Sequence, residues 1–344
     1  MQKINTRIAR CACSASRMAG LTAATGWIMV SVALVSPLPG AEEPLTLKAD
    51  PMSVVLSIAF SPDGKRLALI SRDQAVTIRD STSGDLTLTL KGRKGYISSL
   101  AFSPDGKWLA SGGGDKTVRV WDATSGEEML VMKGHTLAVV SVAFSTDGKR
   151  LASASGDGTV RLWNPTSGQE TLMFNGHFSQ VFRVAFSLDG KHLTSVSRDQ
   201  TLKVWDGTTG QETRTLTLLL DRFSSLAFTT DGNRFASARG YLDNTVKVWD
   251  VATGQETLTL NGHTDFVTYV TFSADGKRLA SGSRDQAVKV WDAMSGQETL
   301  TLRGHTGLIQ TLAFSPDGNR LASSSLDETV KVWDVTPKDV TPMR

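Results

Sequence analysis

Tryptophan recurs at a nearly constant interval through most of this 344-residue chain, and no other feature constrains the fold as strongly. Intervals of 42, 42, 44, 42 and 42 residues separate Trp121, Trp163, Trp205, Trp249, Trp291 and Trp333. One further step back reaches Arg79, in a degenerate first copy, so the repeat has seven copies. A repeat of roughly 20 to 50 residues indicates stacked supersecondary units.

Each copy contains four short runs of alternating apolar residues that are separated by turn residues. In the sixth copy these runs are Val267–Phe272, Arg278–Ser283, Ala287–Asp292 and Glu298–Leu302. Such runs with Asp-Gly between them predict a four-stranded antiparallel meander. The recurring Ser/Thr-x-Asp-Gly tetrads, such as residues 61–64, carry one carboxylate each, too few for a calcium loop, and are predicted to be hairpin turns.

A single four-stranded sheet has two faces to bury, which it cannot do alone. Packing the copies around an axis buries both faces of each sheet and protects the terminal edges. The repeat therefore predicts an all-β ring of sheets.

The copies resemble WD repeats, the family whose propeller blades carry Gly-His and Trp-Asp signatures. Gly-His stands at 134–135, 176–177, 262–263 and 304–305, and Trp-Asp at 121–122, 205–206, 249–250, 291–292 and 333–334, with Trp163-Asn164 a near miss. The resemblance covers residues 45 to 335 and implies a seven-bladed propeller with four antiparallel strands per blade. It also implies a last blade built from both chain ends, and Pro44–Lys48 matches the Leu-Thr-Leu of the other fourth strands.

The resulting domain organisation is a leader at 1–41, a propeller at 44–335 and a C-terminal tail at 336–344. The leader has a basic start followed by an uncharged stretch from Met18 to Ala41. This pattern fits a secretory signal cleaved near Gly40 or Ala41, or an uncleaved membrane anchor. The sequence thus predicts a propeller that is exported, to the periplasm or outside the cell, or anchored in a membrane by this segment.

Charge and cysteine content exclude several functions for the folded part. The four basic residues Lys3, Arg7, Arg10 and Arg17 lie in the leader, which leaves 33 basic against 34 acidic residues, a net charge of −1. No basic excess remains to favour nucleic acid. Both cysteines, Cys11 and Cys13, also lie in the leader, which excludes a thiolate metal site or nucleophile beyond it.

The family resemblance implies a buried hydrogen-bond network in four blades, formed by the Gly-His histidine, a serine, an aspartate and the tryptophan. Carried over, the members are His135, Ser153, Asp157 and Trp163 in blade 3; His177, Ser195, Asp199 and Trp205 in blade 4; His263, Ser281, Asp285 and Trp291 in blade 6; and His305, Ser323, Asp327 and Trp333 in blade 7. The group has the members of a hydrolase triad, but its recurrence in four blades favours a structural role.

The other blades depart from this pattern. Blade 1 has Pro51, Leu69 and Arg79 at three of the four places, and blade 2 has Arg93 for the histidine. Blade 5 has Leu219 for the histidine and two extra residues around Gly240. Either drift or surface specialisation explains these losses, and these blades are expected to be less rigid.

The usual partner site of the family is the ring face that bears the Gly-His loops. Two positions in each blade mark this face. One is the residue just before the network aspartate, and the other is the third residue after the Gly-His histidine or the residue that replaces it. Exposed aromatic residues and arginines are typical of binding hot spots. The best candidates are Tyr96, Arg198, Arg222, Phe266 and Arg284.

We expect a non-catalytic scaffold, a monomeric propeller that binds a protein or peptide and needs no cofactor. Two alternatives stay open: an enzyme or small-molecule binder that uses the central channel, and a structural subunit of an envelope assembly. The enzyme alternative predicts titratable residues in the channel, whereas the innermost strand of each blade is mostly Val, Ser, Thr, Ala and Phe. The second predicts a large apolar patch on one face.

Overall fold

Antiparallel strands account for all regular structure in the described part of the computed structural model. This part comprises residues 43–48, 54–72, 75–90, 95–217, 224–238 and 243–337, and it contains 28 strands and no helix. The strands form seven sheets of four, one for each copy of the repeat. This confirms the seven-bladed, all-β propeller, including the degenerate first copy.

The first described strand is β1 (Leu45–Lys48). Blades 1 to 3, each from its innermost strand outward, contain β2 (Val55–Phe60), β3 (Arg66–Ser71), β4 (Val76–Asp80), β5 (Leu86–Leu90); β6 (Ile97–Phe102), β7 (Trp108–Gly113), β8 (Thr117–Asp122), β9 (Glu128–Lys133); and β10 (Val139–Phe144), β11 (Leu151–Ser155), β12 (Thr159–Trp163), β13 (Glu170–Asn175). Blades 4 and 5 contain β14 (Val181–Phe186), β15 (His192–Ser197), β16 (Thr201–Asp206), β17 (Glu212–Thr217); and β18 (Ser225–Phe228), β19 (Arg234–Ala238), β20 (Val246–Asp250), β21 (Glu256–Leu260). Blades 6 and 7 contain β22 (Val267–Phe272), β23 (Arg278–Ser283), β24 (Val288–Asp292), β25 (Glu298–Leu302); and β26 (Ile309–Phe314), β27 (Arg320–Ser325), β28 (Thr329–Asp334).

The last blade takes its fourth strand from the other end of the chain. Strand β1 pairs with β28 in antiparallel register, with Leu45 opposite Val332 and Leu47 opposite Val330. The predicted closure of the ring by residues 44–48 is therefore confirmed. Closure removes the free edge that β28 would otherwise expose to other chains.

Antiparallel connectivity sorts the loops onto two faces. The turns between the first and second strands of a blade lie at the same end as those between its third and fourth strands, and we call this end the turn face. The turns between the second and third strands lie at the other end, with the loops that carry Gly-His and lead into the next blade. We call that end the Gly-His face.

The apolar core is divided among the junctions between blades, because each sheet packs its faces against its two neighbours. Seven clusters of buried side chains fill the seven junctions; one of them joins Val118 and Met132 of blade 2 to Val142 and Trp163 of blade 3. Between blades 4 and 5 the cluster contains five buried residues of the described chain, the fewest of the seven. The other six clusters contain 8 to 11 such residues.

Two predicted segments lie outside the described residues: the leader at 1–41, and the tail from residue 338 onward. No helix in the described ranges is long and apolar enough to cross a membrane. Export and anchoring stay predictions.

Candidate partner-binding face

A buried hydrogen-bond network joins the Gly-His loop of blade 3 to the body of its sheet. His135 Nδ1 lies 3.0 Å from Asp157 Oδ2, and His135 Nε2 lies 2.7 Å from Ser153 Oγ. Trp163 Nε1 donates to the same serine oxygen at 2.8 Å. The carboxylate of Asp157 also accepts from the backbone N–H of Thr136 at 2.9 Å, so the loop is fixed through both its side chain and its backbone.

The structure brings the corresponding four side chains together in three further blades. Histidine-to-aspartate distances there are 2.9 to 3.1 Å, and histidine-to-serine distances are 2.7 to 2.8 Å. Each tryptophan donates to its serine, as in blade 3. A threonine two residues after the aspartate, which sequence reasoning did not include, adds a hydroxyl donor in three of the blades, from Thr159, Thr201 and Thr329.

Hydrogen bonding keeps the aspartates of this network ionised. Burial alone would raise the pKa of Asp327, but donors from Thr329, Thr306 and His305 outweigh it and lower the pKa to about 2. For Asp285 burial is again opposed, here by His263 and the backbone of Thr264, and its pKa also falls to about 2.

The serine, histidine and aspartate have the mutual contacts of a hydrolase triad, but the serine is not accessible. Ser153, Ser195, Ser281 and Ser323 are each 0% exposed. Each serine oxygen is also already shared between a histidine and a tryptophan. A substrate has no approach to this oxygen in the folded blade, so the group acts as a brace for the loop.

The degenerate blades retain parts of the network. Trp121 of blade 2 donates to Ser111 at 3.1 Å, and Trp249 of blade 5 donates to Ser237 at 2.9 Å. In blade 1, Leu69 is buried and Arg79 donates to the carbonyl of Gly84 at 3.1 Å. The remaining substituted positions, Pro51, Arg93, Leu219 and Gly240, lie outside the described residues.

The two sets of candidate partner-binding positions are neighbours in space. In each blade where both are described, the residue before the aspartate donates its backbone N–H to the carbonyl of the residue three past the histidine place. In blade 6 this bond joins Arg284 to Phe266 at 2.8 Å, and the Arg284 guanidinium carbon lies 5.1 Å from the centroid of the Phe266 ring. The pair forms a cation–π unit on the Gly-His face.

The other candidates take different positions on the same face. The Tyr96 ring is 54% exposed and lies across Gly114, where an added Cβ would meet its Cε1 at 2.4 Å. Arg198 is exposed, and its backbone bonds to the carbonyl of Gln180. Arg222 lies outside the described residues.

Sequence reasoning missed Phe178, which has the most exposed large apolar side chain in the described chain, at 95%. It follows His177 directly, and its backbone N–H donates to Asp199 at 2.8 Å. The three other complete networks have threonine at this place, Thr136, Thr264 and Thr306. The signal was therefore visible as an aromatic residue at a position that is otherwise polar.

Among the described residues, two ionisable side chains of the inner strands meet across the central channel, which the composition of those strands did not suggest. Arg183 on β14 donates to the hydroxyl of Tyr269 on β22 at 2.8 Å, although blade 5 lies between them. Within the described ranges, no three His, Cys, Asp or Glu side chains form a group that could hold a metal ion.

Seven four-stranded blades, four of them braced by a complete histidine-serine-aspartate-tryptophan network, define a propeller of the WD type. The family WD domain, G-beta repeat matches residues 84–122, 126–164, 168–206, 219–250, 254–292 and 296–334. These segments cover more than half of the chain, which therefore belongs to the WD-repeat family. Propellers of this family commonly serve as scaffolds for protein interactions. A comparison with curated proteins found no match.

Proposed function

We propose that this propeller is a non-catalytic scaffold that presents its Gly-His face to a protein or peptide. The observation that carries the proposal is the almost complete exposure of Phe178 on a loop held by the His177 network. Exposing a phenylalanine to water is unfavourable, and a partner that covers it recovers up to about 2 kcal/mol of hydrophobic free energy. A rigid loop also loses little entropy on binding.

The Arg284–Phe266 pair and Tyr96 extend this surface to blades 6 and 2. Aromatic and arginine side chains on ordered loops are the residue types that dominate binding energy in protein interfaces. The surface therefore suits a partner with apolar side chains at its centre and an acceptor, such as a carboxylate, opposite Arg284.

Substitutions on the face test the proposal. Partners are recovered from the source organism with the full-length chain carrying a C-terminal tag, and binding is then measured with the purified partner. Phe178→Ala combined with Arg284→Ala should weaken binding about tenfold or more. Met294→Ala is the matched control, because Met294 is 69% exposed but lies on the turn face. Equal losses in both variants would contradict the assignment of the face.

The proposal that the scaffold is non-catalytic has its own test. A fluorophosphonate reagent labels serines that a neighbouring histidine activates, so the native protein should remain unlabelled while its fold is intact. Stoichiometric labelling of Ser153, Ser195, Ser281 or Ser323 in folded protein would overturn the non-catalytic proposal.

We also propose that the scaffold works outside the cytoplasm or at a membrane. The support is the basic start and uncharged stretch of the leader. Fractionation and N-terminal sequencing of the expressed chain distinguish the two routes: a mature start near Ala41 means cleavage and export, and an intact leader in the membrane fraction means anchoring. An intact leader in the cytosol would refute both.

A further inference from the structure

An arginine ties blade to blade on the turn face at five of the seven junctions. It is the first residue of the second strand, or in blade 3 the residue just before that strand, and its guanidinium donates to two backbone carbonyls of the next blade. Arg66, for example, reaches Gly106 O at 2.7 Å and Ala123 O at 2.8 Å, and it lies 5.5 Å from the centroid of the Phe102 ring. The other four arginines make the same contacts: Arg150, Arg234, Arg278 and Arg320.

Two junctions have a different residue at this place, and a groove lies at each of them. Trp108 replaces the arginine between blades 2 and 3, where its half-buried ring lines a groove with Gly148. His192 replaces it between blades 4 and 5, where a groove of about 610 Å³ is lined by His192, Gly232 and Val251. His192 is exposed, so its shorter side chain leaves this second groove open to solvent.

The groove between blades 4 and 5 lies at the junction whose apolar cluster contains the fewest buried residues of the described chain. The inner strands differ there as well. Ser99 and Ser141 accept hydrogen bonds from the backbone of the next blade, at Val142 and Val184, whereas Arg183 at the same place of blade 4 bonds to Tyr269 of blade 6. Within the described part of the chain, this junction therefore lacks two contacts that join neighbouring blades elsewhere: the arginine-to-carbonyl bonds on the turn face and the hydrogen bond to an inner-strand serine.

The groove has the acceptors that the arginine contacts elsewhere. Gly232 and Val251 of blade 5 correspond to Gly276 and Ala293 of blade 6, whose carbonyls receive the guanidinium of Arg234 at 2.7 Å each. Among the described residues no hydrogen bond reaches either carbonyl of the blade 5 pair. Phe228 stands at the place of the phenylalanine over which the arginine lies at the other junctions.

The charges around the groove also suit a cation. The carboxylates of Asp189 and Asp231 line it, and each uses one oxygen within its own hairpin turn. The side chain of Arg214 is the one charged side chain of opposite sign in the lining, and it is exposed and extends from the outer strand β17. Two carboxylates and two carbonyls thus surround a space that elsewhere holds a guanidinium.

We propose that this groove binds an arginine side chain of a protein partner, which takes the position that the chain's own arginines occupy at five other junctions. The guanidinium would donate to the carbonyls of Gly232 and Val251 in a fork and lie over Phe228. The site is on the turn face, away from Phe178 and Arg284. It is therefore a second site, and substitutions on the Gly-His face leave it intact.

The test is a titration of the full-length protein with acetyl-Gly-Arg-Gly amide, followed by amide chemical shifts. The peptide in which citrulline replaces arginine is the control, because citrulline keeps the shape but loses the charge. We expect saturable chemical-shift changes at Gly232 and at Ala252. The citrulline peptide should bind at least about tenfold more weakly than the arginine peptide. Lysine in place of arginine should also bind more weakly, because it cannot bridge two carbonyls.

Two variants link the binding to the groove. His192→Arg supplies the missing guanidinium from within the chain, so it should abolish peptide binding and raise the unfolding temperature. His192→Gln leaves the groove open and should bind as the native protein does. Three results would each overturn the proposal. They are equal chemical-shift changes with the arginine and citrulline peptides, changes confined to the Trp108 groove, and undiminished binding of the arginine peptide by His192→Arg.

Discussion

The guanidinium of Arg320, in the last blade, donates a hydrogen bond of 2.6 Å to the backbone carbonyl of Gly64 in the first blade. The same side chain reaches Ser81 and lies 5.5 Å from the centroid of the Phe60 ring. These residues are far apart in the sequence and meet only because the ring closes. The closure therefore has a polar clamp on the turn face in addition to the pairing of β1 with β28.

Arg320→Ala should lower the free energy of unfolding by about 2 kcal/mol or more, because it leaves two buried acceptors without their charged donor. Arg320→Lys should recover only part of this, because an ammonium group cannot fork between two carbonyls. Urea unfolding measures both. Arg198→Ala is the control. Because Arg198 is exposed, this variant should lower the free energy of unfolding by less than about 0.5 kcal/mol. A loss no larger than that of the control would show that the clamp contributes nothing.

Ser281→Ala should destabilise the protein more than Ser237→Ala. The hydroxyl of Ser281 serves two buried partners, His263 and Trp291, whereas Ser237 serves Trp249 among the described residues. Each partner left unpaired costs about 1 to 3 kcal/mol, so we expect about 3 kcal/mol for the first variant and about half of that for the second. Thermal and urea unfolding compare the two. Equal losses would mean that the histidine contributes little to the network.

Acid should destabilise the propeller through its network aspartates. In the folded state the pKa of Asp327 is about 2, below its ordinary value of 3.8, because hydrogen bonds outweigh burial. The folded state therefore binds the proton less readily than the unfolded state, and this stabilisation is present above about pH 4 and lost as the pH falls towards 2.

The variant Asp327→Asn separates this contribution from that of the other carboxylates. It should be less stable than the native protein at pH 7, and its unfolding free energy should fall less steeply between pH 4 and pH 2. Urea unfolding at several pH values gives both quantities. An unchanged slope would place the acid sensitivity elsewhere in the protein.

Leu47→Ala should weaken the closure of the ring. Leu47 is 5% exposed, and it packs so closely on Gly84 that a Cβ there would lie 2.0 Å from its Cδ2. Removing a buried leucine side chain costs about 2 to 5 kcal/mol. Leu86 occupies an outer strand of the first blade at 50% exposure, so Leu86→Ala should cost less than about 1 kcal/mol. Similar losses for the two variants would argue against a stabilising role of β1.

The members of the buried network could be predicted residue by residue, but the exposure and the contacts of the surface residues could not. The family resemblance implied that His135, Ser153 and Asp157 form one network, and the structure places these side chains within hydrogen-bond distance. It did not show that Phe266 and Arg284 contact each other, nor that Phe178 is almost fully exposed. Exposure depends on the surrounding loops, and these differ from blade to blade.

The sequence by itself determined the number of blades, their four strands and the strand that closes the ring. These features rest on contacts within one repeat, or on a pattern copied seven times, so each copy supports the interpretation of the others. Only the tertiary structure decided how neighbouring blades are joined. The contacts of Arg66 reach 40 and 57 residues along the chain, and Arg183 passes over a whole blade to Tyr269. A repeat pattern does not reveal such pairs, because they form between blades and depend on the space and the acceptors that the next blade presents. The groove left where His192 replaces arginine is visible for the same reason only in the tertiary structure.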